Sequence, residues 1–552
     1  MLVLATVFAV VGVPQASTVS AEPPLPAHIS KFVPIGPVRI ADTRPGSGGF
    51  GAAHLLPTVY RVKVAGRFGV PTNATEAVVN ITAMGTAGPG SAAVYGVGDP
   101  VPAESDIVSE SAGQTVSNLM HVRIGINGSI DIRRTVGMHF AVDLVGVYIP
   151  VSGAVADGRL TTLLAGSKRI VTSVGVAAGS SRVVDLASAV PVGAVAATVV
   201  LTVDHARKGY YGMYADGVKR PGIWSLFVDT NGQGRSNQFI VKLNSTNQRI
   251  RVFSSAGGRV SIDVVAWYTG PAMSVSTNGL FIPTHHLRRL DKMTGRPLPP
   301  LGPVTFEFSV GTSATVSAVV GNILAAGMWD VGTITAKPAG VTAHSVVAAR
   351  VASWPQTVAS QFLVKTSTRG VALTSTVGSF MVVDVAGWFY GPRPTATQAT
   401  PVNRTLRPTF VNAVRWADSA GSHIRAVAFR ADDNLDSIAN LGIGASYHNL
   451  SSLQRVGNVM VFAHRTEHGG QFRHIDTIRV GSMFSLRGTN GHWYHYRVMY
   501  IGVTPPSYRA ISAITNYFRP VTAQLVACSK PDGSATSLQW RITITGRLVG
   551  AT

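Results

Sequence analysis

A single cysteine, Cys528, occurs in 552 residues, which excludes any disulfide within the chain. Acids are scarce too: 26 Asp and Glu stand against 47 Lys and Arg, for a formal charge of +21. The basic residues are spread along the chain, and even HHLRRLDK at 285 to 292 is interrupted by an acid. That dispersal speaks against a nucleic-acid partner and for a cationic surface, with anionic cell-envelope polymers as the macromolecules it would attract. Long apolar runs are also missing. Nothing approaches the roughly 20 consecutive apolar residues that a helix needs to cross a bilayer.

What is present is glycine, 58 of them, with abundant Val, Thr, Ser and Ala and only 13% charged residues. This composition favours strands and turns over long amphipathic helices, so the expected class is all-β. At 552 residues the chain exceeds one core, and ordinary domain sizes suggest roughly three to five domains. The opening MLVLATVFAVVGVPQASTVSAEPP has a short apolar run, Leu2 to Val13, then small residues with Val19 and Ala21 where a signal peptidase reads. A signal peptide over 1–21, cut before Glu22, is expected, with an uncleaved membrane anchor as the alternative because no Lys or Arg precedes the run; either places the protein outside the cytoplasm, secreted or at the cell envelope.

Comparison of the chain with itself finds three copies of one unit. FAVDLVGVYIP ends near residue 150, VSIDVVAWYTG near 270 and FMVVDVAGWFYG near 391, each with one Asp inside an apolar strand: Asp143, Asp263 and Asp384. Gln114, Gln233 and Gln356 recur at nearly one offset ahead of them, and FVPIGPVRIADTRPG pairs with FIPTHHLRRLDKMTG, matching Arg39 to Arg288 and Asp42 to Asp291. The middle copy keeps only KRIVTS at this point. Short apolar runs divided by Gly, Pro, Asn and Ser give each unit the pattern of an antiparallel sandwich or barrel. Three tandem β repeats follow, at 32–150, 151–270 and 271–391. A carboxylate in an apolar strand is more often fixed than functional, and the Arg near each unit's start is its natural partner.

GPRPTATQATPVNRTLRP then reads as a Pro/Thr-rich linker, 392–408, into a last domain at 409–552. There 14 Lys and Arg face 7 acids, for +7. In AQLVACSK alternation puts Leu525 and Ala527 on one face and Gln524, Val526 and Cys528 on the other, so the thiol points away from the core at the strand's end. In WRITITGRL, Arg541, Thr543 and Thr545 share a face. If the two strands pair antiparallel, Arg541 lies beside Cys528, where a guanidinium favours thiolate and offers donors to an oxyanion. The apolar strand from Val459 ends at His464, ahead of a polar, Gly-containing loop. A lone thiol with a His in the same domain is a nucleophile and acid/base pair in outline, against an inert buried thiol. His464, His468 and His474 do not have zinc-motif spacing, and ADDNLD at 431 to 436 lacks a full calcium loop, so neither metal nor cofactor is expected.

The repeats resemble modules of exported actinobacterial proteins that open with R-x-x-D-T-R and close on a D-V-V-G-Y-Y strand, which implies display, spacing or envelope contact. In the last domain, GNVMVFAHRTEHGGQFRHIDTIRVGSMFSL resembles the sortase segment that carries the catalytic His, closest to class E. LVACSKPDGSATSLQWRITITGRL likewise resembles the strand ending in the sortase Cys, followed by its Arg. IANLGIGASYHNLSSLQRVGN is similar to the family's lead-in to the His strand.

The resemblance implies an eight-stranded β-barrel transpeptidase acting on LAXTG- or LPXTG-bearing surface proteins, with a peptidoglycan precursor or pilin amine as acceptor. It implies Cys528 as nucleophile, His464 as acid, Arg541 on the oxyanion or the bound signal, and Val526, Ala527 and Thr543 as signal contacts. The family commonly has Thr where Ala527 stands, and Asp where Ser482 follows Gly481. Two other functions compete: a non-catalytic wall or adhesion protein with a degenerate barrel, and a cysteine hydrolase releasing surface protein.

Overall fold

The computed structural model describes residues 28–552 except 48–49, 104, 245, 294–302, 313–314, 329–330, 352–355, 402–409, 419–420, 431–438, 440–441, 443, 449–452, 454–457, 506–521 and 535–539. The expected signal peptide, the ADDNLD segment, half of the linker and much of the lead-in to the His strand lie outside the described residues. Those described are almost entirely strands, joined by turns and two short 3-10 segments, Ile126–Gly128 and Ile475–Thr477. Among them no helix is long and apolar enough to cross a membrane.

In each of the three segments expected as repeats, the Asp-bearing strand lies next to a strand that carries an Arg. Arg39 pairs in register with Asp143, Arg169 with Asp263 and Arg288 with Asp384. The side chains follow the backbone: Nε donates to the carboxylate at 2.5, 2.5 and 2.6 Å in the three copies. The Asp is therefore held by the guanidinium that the sequence pairing suggests. Asp42 also accepts from Arg39 and Arg44, and these bonds hold its carboxyl below the usual range although burial acts the other way.

The repeats do not stand apart. Ser30 pairs with Phe281, so strands of the first and third repeats form one eight-stranded sheet. A core cluster running through the second and third repeats also takes in Phe32, Val78, Leu119 and Tyr148 of the first. Rings from all three meet there: Phe32 and Tyr268 lie 4.3 Å apart, and Tyr148 and Phe281 4.2 Å. Polar side chains bond across the contact as well, each bond adding a modest net stabilisation over its hydrated alternative. Gln238 exchanges two bonds with the Leu363 backbone, and the Asn118 side chain accepts from Gln361 N–H.

Two ionisable groups buried here respond to acid with opposite sign. Burial pushes the Asp106 carboxyl up to about 6, against its bond from Val94 N–H and nearby His286. Burial pushes the His121 imidazole, bonded to Gln361 and Tyr148, down to about 4. For Asp106 the folded value lies above the unfolded one, so acidification from pH 6 to 4 adds stability. For His121 it lies below, so acidification from 6.5 to 4 removes stability. Each effect is about 3 kcal/mol at 1.4 kcal/mol per pH unit, and they offset one another. Asp106→Asn, which keeps an acceptor for Val94 N–H, is expected to unmask the His121 loss. Chemical denaturation at pH 7 and pH 4 should show the variant losing about 3 kcal/mol more than the parent over that range.

The last part of the chain closes an eight-stranded barrel. Its strands run in the order Val411–Asp418, Gly421–Arg430, Gly444–His448, Asn458–Phe462, Thr522–Ser529, Trp540–Ala551, Trp493–Thr504 and Met483–Gly488, which pairs back with the first. Strand alternation fills the interior with Val459, Val461, Ala523, Leu525, Ile542 and Ile544, closed by Phe484 and Tyr496. Closure leaves no free sheet edge. Most neighbours are antiparallel, but Asn458–Phe462 runs parallel to Thr522–Ser529. That parallel pair brings the His-bearing and Cys-bearing segments to the same end of the barrel.

Candidate active site

Register determines which side chains meet. Cys528 sits opposite Arg541 in the antiparallel ladder of Thr522–Ser529 with Trp540–Ala551. On its other flank Phe462 pairs with Val526 and Ala463 N–H donates to Val526 O at 3.3 Å. His464 lies two residues past Phe462 and Cys528 two past Val526, so the pairing brings the histidine segment to the end of the barrel that holds Cys528. Alternation assigns faces within the strands: Ala527 and Ile542 belong to the barrel core, so Cys528 and Arg541 turn the other way, while Ala463, just before His464, also packs into the core. Adjacent strands place such neighbours about 5 Å apart at Cβ, within reach for long side chains. His464, Cys528 and Arg541 are all half-buried, accessible without being fully solvated. Cys528 has no disulfide partner, as its solitude in the sequence requires.

The loop after His464 is held by its own backbone. Phe472 N–H donates to His464 O at 3.0 Å, and His464 and His468 bring their rings to 5.0 Å. Gly470 is obligatory at its turn: φ is +55°, and a Cβ there would come within 2.6 Å of Arg465 O. His474 instead lies by His423, which bonds Asp418 at 3.0 Å. His464, His468 and His474 therefore do not converge, and no group of three His, Cys, Asp or Glu fit to hold a metal occurs among the described residues.

The three residues expected to touch a bound signal separate. Val526 and Thr543 pair across the ladder on the face of Cys528, both buried. Thr543 Oγ1 has no hydrogen-bond partner among the described residues. Ala527 lies in the barrel core on the far face, 3% exposed, which removes its side chain from the surface it was expected to line. Sequence reasoning gave no role to Arg465, whose guanidinium is buried at this end of the barrel. Its only signal in the sequence is its place directly after His464.

A thiol opposite a guanidinium, at the end of a closed eight-stranded barrel where a histidine-bearing segment also arrives, suits acyl transfer. The sortase-domain family model matches residues 422–549. This segment is a sortase domain. Among solved structures the chain is similar to SrtA sortase from Actinomyces oris, at 17% identity over 28% of this chain and 89% of that one, TM-score 0.22. It is also similar to sortase E1 from Streptomyces coelicolor with a tripeptide in its active site, at 17% identity, 26% and 90% coverage and TM-score 0.21. Sortase E from Streptomyces avermitilis follows at 20% identity, 26% and 90% coverage and TM-score 0.20. No curated protein matches the chain. Sortase domains are cysteine transpeptidases that act on proteins bearing sorting signals and pass them to amine acceptors, and sortases are generally extracytoplasmic.

Proposed function

We propose that residues 409–552 are a class E-like sortase that cleaves an LAXTG- or LPXTG-like signal after its Thr. The released protein is transferred to a peptidoglycan-precursor or pilin amine. One observation carries this reading: the strand that carries Cys528 lies between the strand of Arg541, its register partner, and the strand that leads to His464.

The chemistry follows from those positions. Cys528 passes its proton to His464 and its sulfur attacks the Thr carbonyl carbon, forming the S–C bond of a tetrahedral oxyanion. The Arg541 guanidinium donates to that oxygen or holds the signal's backbone. Collapse breaks the Thr–Gly C–N bond, and His464 supplies the proton that the departing Gly amine needs. The incoming amine then attacks the thioester, its proton passes to His464, and the thiolate leaves. Val526 and Thr543 pack beneath the floor beside the thiol. The signal peptide over 1–21 delivers the chain across the membrane, and the cationic β repeats hold the barrel against anionic envelope polymers.

The full-length protein with a quenched LAXTG peptide, with and without triglycine, tests this. Ligated product that requires triglycine is expected. Peptide acid alone, unchanged by the amine, would instead make the protein a hydrolase. An intact peptide together with a Cys528 inert to iodoacetamide would leave a non-catalytic barrel.

A further inference from the structure

Arg465 follows the proposed acid in the chain, yet its side chain enters the protein rather than the loop. At 2% exposure it is among the most buried large side chains of the molecule. Its contacts span three segments. Nη1 donates to the carbonyl of Gly533 at 2.8 Å and, more weakly, to the carbonyl of Cys528 at 3.4 Å. Nη2 lies 2.9 Å from Asp476 Oδ2, in the 3-10 segment after the His464 loop. Gly533 closes the turn that follows the nucleophile, where Lys530 N–H bonds Ser534 O at 2.9 Å and Gly533 N–H bonds Lys530 O at 3.0 Å.

Nothing in local sequence chemistry calls for a buried guanidinium here, since an apolar side chain would fill the space without losing hydration. What a guanidinium adds is geometry: a rigid fork that reaches several acceptors at once. The paired register of the two parallel segments ends at Phe462 and Val526, two residues short of His464 and Cys528. Arg465 bridges the segments past that point, from the residue after His464 to the backbone oxygen of Cys528 itself.

We propose that Arg465 is a positioning residue, a clamp that ties the end of the nucleophile strand and the turn after it to the histidine segment and so fixes where the His464 imidazole stands relative to the thiol. Its catalytic consequence rests on the sortase reading, whereas the clamp itself does not. A misplacement of about 1 Å in such a pair can cost on the order of 100-fold in rate without weakening binding.

Hydrogen exchange and peptide kinetics on full-length Arg465→Met and Arg465→Lys test both parts. In Arg465→Met the amides of 528–534 are expected to exchange at least about tenfold faster, while those of Met483–Gly488 and Trp493–Thr504 hold their rates. With a sorting peptide, kcat should fall on the order of 100-fold with KM within about threefold, and Lys, which keeps the charge but not the fork, should recover part of kcat. Should the Met variant not fold, the Lys variant carries the same local test with a smaller change. Unchanged exchange over 528–534, or an increase shared evenly by the whole barrel, would overturn the clamp. Local loosening in a protein whose parent form cleaves no sorting peptide would keep the clamp and remove the sortase reading.

Discussion

Cys528→Ala is expected to lose at least about a thousandfold in cleavage of a sorting peptide, because removing a nucleophile removes the covalent route entirely. No other thiol exists in the chain to substitute for it. The adjacent Ser529 hydroxyl is fully buried and turned to the other face, so it offers no alternative nucleophile. The fold should not suffer, since Cys528 is half-buried at a strand end and contributes nothing to the barrel core. Arg541→Met should lose roughly 100- to 1,000-fold, the usual range for one oxyanion donor. Arg541→Lys should fall between, because an ammonium keeps the charge without the planar fork. Initial rates with a quenched peptide, alongside circular dichroism to show retained structure, separate lost chemistry from lost fold.

Arg39→Met is expected to destabilise the repeat region by about 3–5 kcal/mol, the cost of leaving one partner of a buried ion pair behind. Asp143 is 0% exposed and takes bonds from Arg39 Nε and Nη2, with Trp224 N–H at 3.4 Å as a weaker third donor. Burial already pushes the Asp143 carboxyl up despite Arg39, so without the guanidinium it would fold as the neutral acid or distort its strand. The three copies should not respond equally. Side-chain exposures are 19% and 0% for Arg39 and Asp143, 31% and 7% for Arg288 and Asp384, and 43% and 10% for Arg169 and Asp263. Screening weakens the more exposed pairs, so the loss should rank Arg39→Met, then Arg288→Met, then Arg169→Met. Urea denaturation of the three variants reads that order directly.

These pairs were legible in the sequence because Asp143, Asp263 and Asp384 each follow an Arg near the start of their segment, 104, 94 and 96 residues earlier, and an Asp inside an apolar strand demands a cation. The placement of Cys528 against Arg541 was legible from alternation alone, once two strands were assumed to be neighbours. The joining of the first and third repeats was not, because Ser30 and Phe281 lie 251 positions apart and nothing local marks their edges as partners. The parallel pairing of Asn458–Phe462 with Thr522–Ser529 was hidden for the same reason. Arg465 was missed for another: beside Thr466, Glu467 and His468 it reads as one more polar loop residue, and the carbonyls of Cys528 and Gly533 with the Asp476 carboxylate draw it inward. Ala527 shows the opposite failure. Alternation put it with Leu525 on the core face, and the structure does so too, while its assignment to the signal surface came from resemblance.

Intact-mass measurement of the full-length protein after brief exposure to an LAXTG peptide tests the central claim most directly. A mass gain equal to the peptide acylated through its Thr should appear on Cys528, vanish on addition of triglycine, and be absent from Cys528→Ala. Cleavage that proceeds equally in Cys528→Ala, or a parent protein that never carries the acyl group while the peptide is consumed, would contradict a covalent sortase mechanism.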